Sequence, residues 1–217
     1  MQSDGGWTYM PKQTFFNLPP EKRQIIEQAA LDEFSKNGFD NAVLNRIVEK
    51  SKIAKGSYYQ YFDDIKDLYF HLIDTLINKK AQYFEPVLNK YKNHSLSHNL
   101  AELFRLLLEF SENNPKLHKL DIDYAANPQH LNREYSEKYK PQTQDIYTLF
   151  LAQAQVRGEL YIDLNLSLAS FFIASLIDRT VIFILNQSGG KKQKQQIADE
   201  MLSFIERAVL NKKNYRE

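Results

Sequence analysis

Apolar residues recur at helical spacing along nearly the whole chain, and strand-like alternation is essentially absent. "LPPEKRQIIEQAALDEFSKNGF" predicts a first helix. Pro19 and Pro20 suit its opening turn, Ile25, Ile26, Ala29, Ala30 and Phe34 form one apolar face, and Gly38 closes it. "VLNRIVEKS" predicts a short second helix with Leu44, Ile47 and Val48 inward, and "KGSYYQYF" a third. Asp63 or Asp64 is placed to cap a long fourth helix, "IKDLYFHLIDTLINKKAQYF", which Pro86 can bend. Four more helical segments follow: "SHNLAELFRLLLEFSENN", "TQDIYTLFLAQAQVRGEL", an apolar stretch at about 164–186 and the amphipathic "KQQIADEMLSFIERAVLN". The pattern is weaker around "DIDYAANPQHLNREYSEKY". The fold class read from this is all-α, with three short helices joined by a long one to a larger helical bundle. The expected boundaries are a flexible arm over 1–18, a small unit over 19–64 and a larger unit over 65–217.

Seven glycines and seven prolines in 217 residues leave few breaks, in keeping with a helical chain. There is no cysteine, which excludes disulfides and thiolate metal sites. The net charge of +1 excludes a polycation, so any nucleic-acid binding must come from a local patch. The opening "MQSDGGWTYM" has no basic start followed by an apolar run, so no signal peptide is expected. "LSLASFFIASLIDRTVIFIL" has the length of a membrane span. However, Asp178 and Arg179 near its middle cost roughly 2.5–3.5 kcal/mol each, against about 0.3–0.6 returned by each Leu, Ile, Phe or Val. The segment is therefore expected to be a helix buried on most of its faces, in part against another chain, with no membrane partner.

Residues 43–62 have the size of a helix-turn-helix, whose second helix enters the DNA major groove. Arg46, Lys50, Lys52 and Lys55 concentrate positive charge there, partly offset by Glu49. The start of a recognition helix presents N–H groups and partial positive charge to phosphate. Gly56 permits close backbone approach, and Lys55 and Ser57 supply donors. Four-residue spacing puts Tyr58 and Phe62 on one inward face, while Tyr59, Gln60 and Tyr61 point more outward.

From Ala29 to Leu68 the chain resembles the N-terminal domain of TetR-family transcriptional repressors. The matching positions are Ala29, Ala30, Phe34, Gly38, Phe39, Ile47, Val48, Ile53, Ala54, Lys55, Gly56, Ser57, Tyr58, Tyr59, Tyr61, Phe62 and Leu68. "RGELYIDLNLSLA" is similar to a phrase that precedes the last two helices in that family. The resemblance implies a cytoplasmic homodimer that sets two recognition helices in successive major grooves of a palindromic operator. It also implies pairing through the last two helices, about 164–186 and 192–211, and release by a small-molecule inducer bound in the C-terminal domain. Coupling would run through the long fourth helix. Contacts to duplex DNA are expected from Lys55, Gly56, Ser57, Tyr59, Gln60, Tyr61, Lys52, Arg46 and Lys66. Three positions depart from the family pattern. Lys52 replaces a turn glycine and must hold near left-handed geometry or bend differently. Ala42 and Val43 replace a capping Thr or Ser, leaving Asn41 as the substitute cap. Ile65 replaces a lysine, with Lys66 next to it. These departures motivate an alternative, a helical interaction module with this fold that has lost DNA binding.

Phe104, Leu108, Tyr124, Tyr147, Phe150, Phe171 and Phe172 are candidates to line a largely apolar effector pocket, although most aromatics of this region must be core. His94 and His98 stand four apart but have no carboxylate near them until Glu102, so a structural role is expected rather than a metal site. Asp121 and Asp123 read as a solvated acidic turn, or as partners of a cationic ligand. No nucleophile–base pair, phosphate-cradling loop or carboxylate pair stands in a catalytic frame, so neither enzymatic activity nor a cofactor is expected.

Overall fold

The computed structural model describes residues 11–90, 94–126 and 146–211. Its helices are α1 (Gln13–Phe16), α2 (Pro20–Asn37), α3 (Leu44–Ser51), α4 (Lys55–Tyr61), α5 (Ile65–Lys90), α6 (Leu96–Asn113), α7 (Pro115–Ala126), α8 (described over Ile146–Val156), α9 (Leu166–Leu185) and α10 (Lys191–Val209). Among the described residues there is no strand, only an isolated bridge between Leu160 and Leu210. The expected all-α architecture is what the chain adopts. Of the weakly periodic stretch 121–139, the first six residues belong to α7 and residues 127–139 lie outside the described residues.

The chain packs as two compact units, Met1–Lys80 with Asn114–Pro128, and Ala81–Asn113 with Gln129–Glu217. Periodicity places a boundary after residue 64, whereas packing carries the first unit on to Lys80 and adds α7 from far along the chain. That addition rests on the buried Leu117 and Leu120 and on a set of polar groups. The Asp123 carboxylate accepts from the Phe39 N–H (3.0 Å) and the Tyr69 hydroxyl (2.9 Å). Gly38 has a φ of 69°, and a Cβ there would stand 2.8 Å from Asp123 Oδ1. Glycine is thus required both by the turn and by the carboxylate beside it. Asp32 on α2 takes the ammonium groups of Lys50 (α3) and Lys116 (α7). Burial alone would raise its pKa, but hydrogen bonds from Lys116, Lys50 and Gln28 hold it at about 2. Asp121 pairs with Lys80. Asp121 and Asp123 are therefore internal ties of the first unit, not a solvated turn.

Phe34 is buried in the centre of this unit, with Tyr69 against it edge-on at 5.0 Å and Phe39 beside both. Ile26, Ala29 and Ala30 face inward as the α2 pattern predicts. Ile25 is half exposed instead, because one helical step from Ile26 turns a side chain by about 100°. Asp64 caps α5 by accepting from the Asp67 N–H at 2.9 Å.

The second unit is built on an apolar core from α6, α8, α9 and α10, with Phe104, Phe150, Leu151, Ile173, Ile177 and Ile205 at its centre. The buried Glu159 accepts from the Leu96 N–H at 2.8 Å and pairs with Arg157, closing the start of α6 from a distant turn. Asn165 caps α9 through the Leu168 N–H at 3.1 Å. By length and composition α9 could cross a membrane. The expectation that it is buried on most faces fails within one chain. Ala169, Ile173, Ile177, Val181 and Ile184 point inward, while Leu168, Phe171, Phe172 and Phe183 are about half exposed.

Candidate nucleic-acid interface

The turn between α3 and α4 is closed by backbone geometry rather than by glycine. Lys52 lies in the left-handed region (φ 54°, ψ 36°), the one non-glycine residue with positive φ among those described. Its N–H bonds to the Glu49 carbonyl (3.2 Å) and that of Ile53 to the Val48 carbonyl (3.3 Å), a paired closure of the helix end. Of the two possibilities for Lys52, the chain takes the strained one, at a cost of roughly 1–2 kcal/mol. At the other end of α3, Asn41 does not act as the cap; its amide turns back to the Asn37 carbonyl. The Val43 N–H is taken instead by the buried Glu33 of α2 at 2.9 Å. The same carboxylate oxygen holds Arg46 at 3.0 Å. An acid on a neighbouring helix can satisfy a helix start that has no local hydroxyl, which a local motif does not reveal.

On α4, Tyr58 and Phe62 are fully buried and share a tilted ring contact at 5.2 Å, as their spacing predicts. Their resolved partners are Phe15, His71 and the Asp64 carbonyl, which accepts from the Tyr58 hydroxyl at 2.7 Å. Lys52, Lys55, Gly56, Tyr59 and Gln60 are exposed together, with Ser57 half-buried beside them. A Cβ on Gly56 would meet nothing within 4 Å, so nothing inside the protein requires glycine there. Its smallness can act only toward whatever approaches from outside. At the start of α4 the Ser57 N–H bonds to the Ala54 carbonyl at 2.9 Å, which leaves the Lys55 and Gly56 N–H groups without an acceptor inside the helix. Arg46 is half exposed but already paired with Glu33. Lys66 lies over the Phe70 ring, 5.4 Å from its centre. Tyr61 is half-buried, 6.2 Å from Phe15, rather than fully outward.

The N-terminal arm also differs from expectation. Residues 1–10 lie outside the described residues, but residues 11–18, expected to be flexible, are packed: α1 forms there and Phe15 is fully buried. Lys12 and Thr14 bond to backbone carbonyls of α4. No local motif marks these two residues. The Phe15–Phe16 pair just ahead of Pro19 is the only sequence hint that the segment is buried.

The "Bacterial regulatory proteins, tetR family" model matches residues 26–72, which spans α3, the turn and α4. An HTH-type transcriptional regulator of Staphylococcus aureus (strain bovine RF122 / ET3-1) is 30% identical over 138 residues, 60% of this chain and 73% of that protein. The chain belongs to the TetR family. A TetR family transcriptional regulator from Chloroflexus aurantiacus J-10-FL superposes with a TM-score of 0.74 at 26% identity, covering 93% of this chain and 99% of that one. The transcriptional regulator FadR from Bacillus subtilis, solved in complex with stearoyl-CoA, shares the fold with a TM-score of 0.64 at 19% identity, over 84% and 96% of the two chains. This TetR-family chain is a helix-turn-helix, DNA-binding transcriptional regulator, and its relatives are regulators rather than enzymes.

The effector candidates of this regulator do not form one set. Phe104, Tyr147 and Phe150 are core residues of the second unit, with Leu108 half-buried against them. Tyr124 belongs to the first unit, where burial pushes its phenol up to about 12. Phe171 and Phe172 face outward on α9. A groove of about 610 Å³ runs between α9 and α10, walled by Leu168, Phe172, Leu176, Arg179, Phe204 and Ala208. His94 and His98 stack on each other at 4.4 Å, and no cluster of three metal-ligating side chains occurs among the described residues.

Proposed function

We propose that the chain represses transcription as a cytoplasmic homodimer that grips a palindromic duplex and releases it on binding a small, largely apolar molecule. The observation that carries this reading is the exposed face of α4, where Lys55, Gly56, Ser57, Tyr59 and Gln60 stand together and Gly56 leaves open space. Lys55 and Lys52 meet phosphates, and Tyr59 and Gln60 reach base edges. Arg46 and Lys66 contribute less, because each already has a partner. Tyr61 reaches phosphate through its hydroxyl alone, its ring lying against Phe15.

Pairing is supported by the apolar side chains left uncovered on α9 and α10, the two helices expected to associate. Leu168, Phe171, Phe172, Phe183 and Phe204 are each about half exposed, and large apolar side chains exposed together mark an association surface. A two-fold dimer pairs this face with itself, and covering it leaves α9 no apolar face for lipid. Release by a small molecule is supported by the FadR likeness, since that fold is solved holding stearoyl-CoA. Coupling runs along α5, one continuous helix whose first part belongs to one unit and whose last part belongs to the other.

Selection of duplexes from a random pool tests the whole reading. The expected product is a palindrome whose half-sites lie about one helical turn apart, or a multiple of that. Recovery of no duplex at low salt would overturn it.

A further inference from the structure

The seven-residue α4 is far too short to hold itself together. The Phe62 N–H takes Tyr58 O (3.0 Å). Its last three carbonyls, those of Tyr59, Gln60 and Tyr61, have no donor inside the helix. All three are nevertheless bonded, each by the chain's own N-terminal segment. The Lys12 ammonium donates to Tyr59 O (2.9 Å), the Thr14 hydroxyl to Gln60 O, and the Lys12 N–H to Tyr61 O (2.8 Å). Phe15 anchors the segment, fully buried with Phe62 at 4.8 Å and His71 at 5.2 Å. The Lys12 ammonium also pairs with Asp63 at 2.6 Å, placing its charge at the negative end of α4.

We propose that Lys12, Thr14 and Phe15 are positioning residues for duplex recognition: they cap α4 in trans and fix the backbone of Tyr59, Gln60 and Tyr61. This rests on the reading of α4 as the base-reading helix. Tyr58 anchors α4 in the core, but Tyr59 and Gln60 can discriminate bases only if the last turn holds one geometry, and no residue of α4 itself satisfies the carbonyls of that turn. With its ammonium committed to a carbonyl and a carboxylate, Lys12 acts through α4 and does not neutralise a phosphate.

The test uses full-length Thr14→Val, Lys12→Met and the conservative Thr14→Ser. Amide exchange is followed residue by residue in the free protein. Affinity is titrated against salt for the duplex selected by the unmodified chain and for a scrambled duplex. Thr14→Val and Lys12→Met are expected to speed exchange of the Tyr59–Phe62 amides roughly five- to tenfold and to weaken the selected duplex about tenfold. Affinity for the scrambled duplex and the salt slope stay unchanged, and Thr14→Ser behaves as the unmodified chain. Equal loss on both duplexes, with the Lys12→Met salt slope shallower by about 1, would make Lys12 a phosphate contact and overturn the proposal. Unchanged exchange in α4 would overturn it as well. If the unmodified chain selects no duplex, it is the DNA reading that fails, and the exchange measurement alone then decides whether the cap exists.

Discussion

The two units of the chain solve different problems with different groups. The first has an apolar core around Phe34, Ile47, Phe62 and Phe70 but adds many polar contacts that reach between helices: Glu33 to Val43 and Arg46, Asp123 to Phe39 and Tyr69, Asp32 to two lysines, Lys12 and Thr14 to the end of α4. The second is joined chiefly by side-chain packing, and it leaves an apolar face on α9 and α10 uncovered. Directional bonds fix where backbone and side chains stand, which a reading surface needs. Non-directional apolar burial supplies association energy, which a pairing surface needs.

The largest effect is expected where the second unit is broken. Phe204→Asp puts a charge on the exposed apolar face and should lower the association constant of the proposed homodimer by more than about a hundredfold, read by sedimentation. The isolated fold should melt close to the unmodified chain, since Phe204 is 59% exposed. A dimer of unchanged affinity would remove the contrast between the units.

A middle effect sharpens what the polar ties cost the first unit. Asp67 is 4% exposed, and one of its carboxylate oxygens has no partner. Burial, with Asp63 and Asp64 adding to it, pushes its pKa up to about 6 from a usual 3.8. The folded state therefore holds a proton that the unfolded state has lost between those values, and stability should fall as pH rises from about 4 to 6. Asp67→Asn should abolish that fall and stabilise the chain at pH 7 by about 1–3 kcal/mol in urea unfolding. Asp32 has the opposite sign. Its pKa is held at about 2, so the stability it contributes is lost as pH drops from about 4 toward 2, which leaves the two windows separable.

The smallest expected change in stability is at Gly56. Gly56→Ala meets no obstruction in the protein and should strengthen α4 by up to about 1 kcal/mol, while weakening duplex binding. A more stable variant that binds equally well would show that the face around Gly56 does not approach DNA.

Much of this was legible in the sequence because it depends on neighbours in the chain. Helix periods, Gly38 as a stop and the inward pair Tyr58 and Phe62 are all decided within a few residues. The family pattern from Ala29 to Leu68 is local as well. The rest was not legible, because its partners are far apart in sequence. Glu33 replaces Asn41 as the acceptor at α3, Asp123 reaches Gly38 and Phe39 across 84 positions, and Lys12 and Thr14 cap a helix more than 40 residues on. Orphan backbone groups at a short helix must be satisfied, but local patterning does not say by which distant side chain. The sequence by itself thus determined α2 to α6 and α8 to α10, the family and most of the residues that α4 exposes. Only the tertiary structure decided what holds α4 in place, that α7 joins the first unit, and which side of α9 stays uncovered, since each depends on which distant side chains meet when the chain packs.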